Sequence, residues 1–259
     1  MDLSNNQTIH FRKTGSGAPV FILHGLFGSE KNWQSIVHGL SENYTVFSLD
    51  MRNHGQSFHS DQFNYEVMAD DVLRLIRRLG LQDVSLIGHS MGGKVAMKFA
   101  FRHPDLVNRL VVVDMANKAY DDPHQSLIEA LYSLDVSKIS RLRDADDMLQ
   151  QAIPQREMRL FLISNLKRDS NGGYDWQINM EGIRNNYQKL CKKIHGKSFK
   201  KPCMFIRGGN SEYIEDADWP EIQKEFPSAV LVTIPNAGHW VHFEAQDEFL
   251  NSVLTFFKK

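Results

Sequence analysis

The sequence predicts an α/β fold: a mostly parallel central sheet flanked by helices, with an inserted helical cap. Three observations predict it. Short apolar runs alternate with longer helical stripes, the sequence form of parallel strands joined by crossover helices. A turn of glycine and small polar residues, Gly88-His89-Ser90-Met91-Gly92, joins one apolar run to a helical one. The stretch 117–194 is rich in helix formers and charge and has no convincing central strand.

Taken in order, residues 19–23 read as a buried strand followed by the loop His24-Gly25-Leu26-Phe27-Gly28, and residues 45–49 as a second strand. Over residues 65–79, Val67, Val72, Leu75, Ile76 and Leu79 share a helical stripe that Gly80 terminates. Residues 84–87 form a third strand that runs through the turn at Ser90 into a helix over 94–102, stopped by His103-Pro104. Residues 110–113 are a fourth strand, and the sheet resumes at 203–206 and 230–234. The domain plan is therefore a core of residues 1–116 and 195–259 with a cap at 117–194. The basic stretch CKKIHGKSFKKP, residues 191–202, reads as a solvated connector rather than a phosphate site.

A chain of 259 residues, 42% hydrophobic, is enough for one large domain with a modest insertion. The net charge of −1 gives no electrostatic footprint of a nucleic-acid binder and favours a small neutral or weakly anionic substrate. Two cysteines, Cys191 and Cys203, and an N-terminus without a basic-then-apolar leader argue for a reducing cytoplasm. No apolar run approaches the roughly 18 residues of a membrane span. The sequence is silent on oligomeric state.

The turn at Ser90 fits G-x-S-x-G with a strand before it and a helix after it, the context that makes the motif specific. Such a turn holds a serine hydroxyl in the open at a helix N-terminus, where unpaired N–H groups favour developing negative charge. His239 supplies a base: it follows the strand 230–234 after a short loop, at the edge where open α/β sheets place their sites. His24, His54 and His89 read as structural. His239, His242 and Glu244 match no metal-ligand spacing, and no metal or cofactor is expected. The Met91 amide, directly after the serine, and the Leu26 amide, in the loop after the first strand, are the expected oxyanion-hole donors.

These motifs resemble those of the α/β-hydrolase superfamily across nearly the whole chain. His24-Gly25 is similar to the family's oxyanion turn, Asp50 to Ser57 to its D-x-R-x-x-G-x-S loop, Gly88 to Gly92 to its nucleophile elbow, and Gly238-His239 to its histidine loop. The segments HGLFGS, VVVDM, GGNS and AGHWVH resemble the bacterial YbfF-type esterases and their mitochondrial relatives. The resemblance implies an α/β-hydrolase fold and cofactor-free carboxylester hydrolysis beneath a helical cap. Two candidates stand for the acid. Glu212, in Gly209-Asn210-Ser211-Glu212, falls in the wider superfamily's usual slot, whereas Asp114 ends the strand 110–113, where the resembling esterases use an aspartate. Asp114 is preferred, with Asp50 tying down its own turn and Ser211 as an accessory hydrogen-bond partner. The expected function is hydrolysis of short- to medium-chain acyl esters, with thioesters also reachable, through Ser90, His239 and Asp114. The alternatives are a carbon–carbon bond hydrolase or lyase on the same scaffold, and a ligand-binding receptor with little turnover. Phe161, Leu162, Tyr174, Trp176 and Tyr187 are candidate acyl-pocket residues, although packing within the cap accounts for most of them.

Overall fold

Apolar residues that alternate along each central strand feed two separate cores, which fixes the layered architecture. In the computed structural model, which describes residues 7–121 and 124–258, seven strands form one sheet in the order β1-β3-β2-β4-β5-β8-β9. They are β1 (Phe11–Thr14), β2 (Ala18–Leu23), β3 (Tyr44–Leu49), β4 (Val84–His89), β5 (Val107–Val113), β8 (Cys203–Gly208) and β9 (Ala229–Ile234). All neighbours pair in parallel except β1, which runs antiparallel to β3 at one edge. Phe21 and Leu23 of β2 point into one core, while Val20 and Ile22 point into the other. Strands buried on both faces read as continuous apolar runs, which is why they were legible. β1, with the burial of a half-exposed edge, carries no such run.

The first core is covered by α2 (Tyr65–Arg78) and α3 (Met91–Arg102), the second by α1 (Gln34–Leu40) and α10 (Gln246–Lys258). α2 is capped by the Asn64 side chain, which accepts from the Val67 N–H, and Gly80 follows it with φ +67°. Two short helices, α8 (Trp219–Glu225) and α9 (Val241–Glu244), flank β9.

Between β5 and β8 the chain leaves the sheet for α4 (Gln125–Tyr132), α5 (Leu142–Leu149), α6 (Arg156–Ile163), a two-stranded antiparallel hairpin of β6 (Leu166–Arg168) and β7 (Tyr174–Trp176), and α7 (Met180–Leu190). The hairpin is an addition to the helices that the sequence predicts for this stretch. Its strands have three residues each, too few to show alternation, and Asp169 folds the connecting turn by accepting from the Asn171 and Gly173 amides. The excursion is tied to the sheet side by Tyr65 Oη donating to Leu190 O, by Asn179 N donating to Asn53 O, and by Asn165 Nδ2 donating to Phe27 O. The basic connector is less solvated than its composition suggests, because Ile194 and Phe199 are buried and Lys201 donates to Val107 O.

Candidate active site

β2 and β4 are neighbours, yet β3 lies on the far side of β2 and β5 on the far side of β4. The chain reverses its direction across the sheet there, and the loops leaving the two strands diverge to open a crevice. Ser90 follows β4 and the loop 24–28 follows β2, so the topology places both at that crevice. Asp114 follows β5, Ser211 follows β8 and His239 follows β9, all along the same edge.

Ser90 has φ 52° and ψ −116°, between the last residue of β4 and the first of α3. This backbone conformation is costly for a residue with a Cβ and persists only where the surroundings enforce it. The flanking glycines are part of that enforcement: a Cβ on Gly88 would lie 2.3 Å from Gly92 O, and one on Gly92 2.2 Å from Leu23 O. Ser90 N–H donates to Val113 O, which ties the elbow to the neighbouring strand. Phe27, Asn53, Ser90 and Asp114 are the non-glycine residues of positive φ among the described residues, and Phe27 and Ser90 line one cavity. His24, Leu26, His89, His239, Trp240 and His242 line the same cavity.

His239 Nδ1–H donates to Asp114 Oδ2 at 2.7 Å. A carboxylate only accepts, so Nδ1 carries a proton, and in the neutral ring this tautomer makes Nε2 the acceptor. Asp114 is fully buried, and its remaining acceptor capacity is filled by Gly208 N–H on Oδ1 at 3.1 Å and Ser211 Oγ–H on Oδ2 at 2.5 Å. Ser211 thus meets Asp114 and not His239. Glu212 is exposed, and among the described residues no hydrogen bond or ion pair joins it to His239. The His239 ring is held between Tyr213, stacked at 3.9 Å between centroids, and His89, at 4.6 Å. The loop carrying His239 is folded by Glu244, whose carboxylate accepts from the Gly238 and Trp240 amides. Glu244 and His242 therefore face different partners: His242 stacks on Trp33 at 4.0 Å.

Met91 N–H opens α3, where the first amides of a helix have no intrahelical acceptor. Leu26 lines the cavity beside Ser90. The next amide, Phe27 N–H, is occupied, donating to His54 Nε2 at 3.1 Å. His54 Nδ1–H in turn donates to Arg52 O, and His24 is fixed likewise, accepting from Met51 N–H on Nε2 and donating from Nδ1 to Gly25 O. His89 Nε2–H donates to His239 O. Burial keeps these rings neutral: desolvation pushes His54 and His242 down to about 3, and lowers His24 and His89. Asp50 accepts from the Glu30 and Gln56 amides and from His10, which anchors the turn that carries His54.

Of the aromatic candidates, Phe161 lines the cavity at Ser90 and Tyr187 a second arm of it. Leu162 is buried, and Tyr174 and Trp176 lie in the hairpin and pack on the core. Sequence reasoning missed Tyr213, Trp33 and Lys94. Tyr213 directly follows Ser211-Glu212, and its only signal was adjacency to a loop already under suspicion.

A strand-elbow-helix serine at a sheet switch point, with a tautomer-fixed imidazole in the same cavity, defines the α/β-hydrolase class. The chain belongs to the α/β-hydrolase fold family, whose pattern matches residues 18–138. It is 38% identical over 255 residues to the sn-1-specific diacylglycerol lipase ABHD11 of Danio rerio, covering 95% of this chain and 80% of that protein. It is 29% identical over 239 residues to esterase YbfF of Escherichia coli strain K12, covering 92% of each chain. A solved marine microorganism esterase superimposes with a TM-score of 0.95 at 41% identity, covering 97% of this chain and 100% of that one. The resemblance to YbfF-type esterases read from the motifs thus extends over nearly the full length.

Proposed function

We propose that the protein is a serine carboxylester hydrolase for short- to medium-chain acyl esters, with acyl thioesters as further substrates, working through an acyl-enzyme on Ser90. The observation that carries this reading is the His239–Asp114 hydrogen bond at 2.7 Å, beside a positive-φ serine that lines the same cavity as His239. In this reading His239 Nε2 takes the proton from Ser90 Oγ as the oxygen attacks the acyl carbonyl. The Leu26 and Met91 amides hold the oxyanion, and Asp114 stabilises the imidazolium. His239 then protonates the departing alcohol or thiol, and a water deprotonated by the same ring releases the acid. Ser211 acts on the carboxylate of Asp114, and Glu212 takes no part.

Residues 117–194 serve as the cap over the site, contributing Phe161 and Tyr187 to the cavity walls. A small-molecule ester is the partner, and a cytoplasmic setting accords with the sparse cysteines. Among the described residues no helix is long and apolar enough to cross a membrane. Hydrolysis of a p-nitrophenyl acetate, butyrate and hexanoate panel tests the reading. Sustained multiple turnovers are expected. A single stoichiometric burst, or none, would favour a receptor, and turnover of carbon–carbon substrates alone would favour the lyase-type alternative.

A further inference from the structure

The second arm of the cavity at Ser90 is lined largely by apolar and aromatic side chains, but it holds one charged group that ester hydrolysis of a neutral chain leaves unexplained. Ser90, Met91, Tyr65, Tyr120 and Lys94 are among its walls, Lys94 standing one helical turn beyond Ser90 on α3. Lys94 is fully buried, and its Nζ donates to Lys118 O at 2.9 Å and Lys192 O at 2.7 Å. Those carbonyls lie where the chain leaves the sheet after β5 and where it returns after α7. The ammonium also faces the Tyr120 ring at 4.8 Å and the Tyr65 ring at 5.6 Å. An ammonium has three N–H donors, of which the two carbonyls take two. No carboxylate pairs with Lys94 among the described residues. Fastening the two connectors needs only donors, which a neutral amide would also supply. Two ring faces and the neighbouring Cys191 thiol favour the charge, but buried cations are ordinarily paired with an anion, and among the described residues no carboxylate balances this one. Its desolvation is felt, pulling the Lys94 ammonium down to about 8, so that it is still mostly charged at neutral pH.

We infer that this arm is a carboxylate subsite, so that the preferred acyl group is that of a half-ester of a short dicarboxylic acid, its free carboxylate meeting Lys94 Nζ. The inference rests on the reading of Ser90 as the acyl acceptor. Ser90 and Lys94 line the same pocket, so the chain between a serine-bound acyl carbonyl and the lysine head is a short one, and the test varies its length. The reaction balances as ordinary hydrolysis. The Ser90 Oγ–acyl bond forms as the acyl–alkoxy bond breaks, the alcohol leaves with the proton from His239, and water releases the dicarboxylic acid. Shielded from bulk water, the Lys94–carboxylate pair is electrostatically stronger than an exposed one.

The test uses the full chain at pH 7 in a pH-stat. Monoethyl succinate, glutarate and adipate are compared with ethyl butyrate, pentanoate and hexanoate. We expect kcat/KM to favour the half-ester by about tenfold to a hundredfold at one or more chain lengths, mainly through KM, as a charge-assisted hydrogen bond implies. In K94Q the ratio of half-ester to neutral ester, measured on one preparation, falls to one or below. Should K94Q fail to fold, the wild-type series decides alone. A wild-type preference for the neutral ester at every length overturns the subsite while leaving the esterase intact. An unchanged ratio in K94Q overturns the role of Lys94. Failure of the wild type to hydrolyse either series overturns the esterase reading itself.

Discussion

Asp114 illustrates how much a single buried carboxylate does here. Its short side chain, held at φ 48° at the end of β5, accepts from Gly208, Ser211 and His239. The isosteric amide in Asp114→Asn presents an N–H where His239 Nδ1–H now donates, which selects the wrong tautomer. The loss of kcat is expected to approach the ~10⁴-fold of the chymotrypsin-type example, with circular dichroism unchanged. Glu212→Gln alters an exposed side chain and is expected to change kcat less than about twofold, as surface substitutions do. A crippled Glu212→Gln beside an active Asp114→Asn would move the acid to the usual superfamily slot. Ser211→Ala removes one acceptor-filling bond and is expected to lose less than Asp114→Asn, with the pH profile of kcat/KM shifted. That Ser90, His239 and Asp114 lie along one sheet edge was legible because each follows an apolar strand. Tyr213 and Lys94 were not, because a stacking ring and a mid-helix lysine look like any others until the chain is folded.

At the scale of elements, the elbow is the most demanding piece. Gly88→Ala or Gly92→Ala would drive a Cβ to 2.3 or 2.2 Å from backbone carbonyl oxygens. Each is expected to destabilise the fold by about 1–3 kcal/mol or more, read as a fall in Tm. An unchanged Tm would mean that β4 and α3 can separate without cost. The excursion between β5 and β8 closes over Ser90 with Phe161, Met158 and Leu127 in the cavity wall. Rates across an ester series from two to sixteen carbons are accordingly expected to fall beyond medium chains. A sharp rise above the solubility limit, or diacylglycerol as the best substrate, would contradict this. The doubly buried strands were visible in the sequence, as was the apolar edge strand β9, while the polar edge strand β1 and hairpin β6–β7 were hidden, being too short or too polar to carry a period.

For the molecule as a whole, the neutral histidines behind the site couple stability to pH. His54 and His242 are pushed down to about 3 in the fold, chiefly by desolvation, whereas unfolded histidine titrates near 6.5. Below about pH 6.5 the unfolded chain therefore binds protons that the fold does not. The fold loses roughly 1–1.5 kcal/mol per pH unit for each such ring as pH falls toward 3. The urea midpoint is expected to be lower at pH 5.5 than at pH 7.5, and a flat profile would show these rings to be protonated in the fold. The central claim, that Ser90 forms the acyl-enzyme, is tested most directly by labelling with a fluorophosphonate and mapping the adduct by peptide mass. One adduct per chain is expected, on the peptide containing Ser90, absent from Ser90→Ala together with a loss of turnover on the order of 10⁶-fold by analogy with subtilisin. Label on another residue, or near-normal turnover in Ser90→Ala, would contradict it.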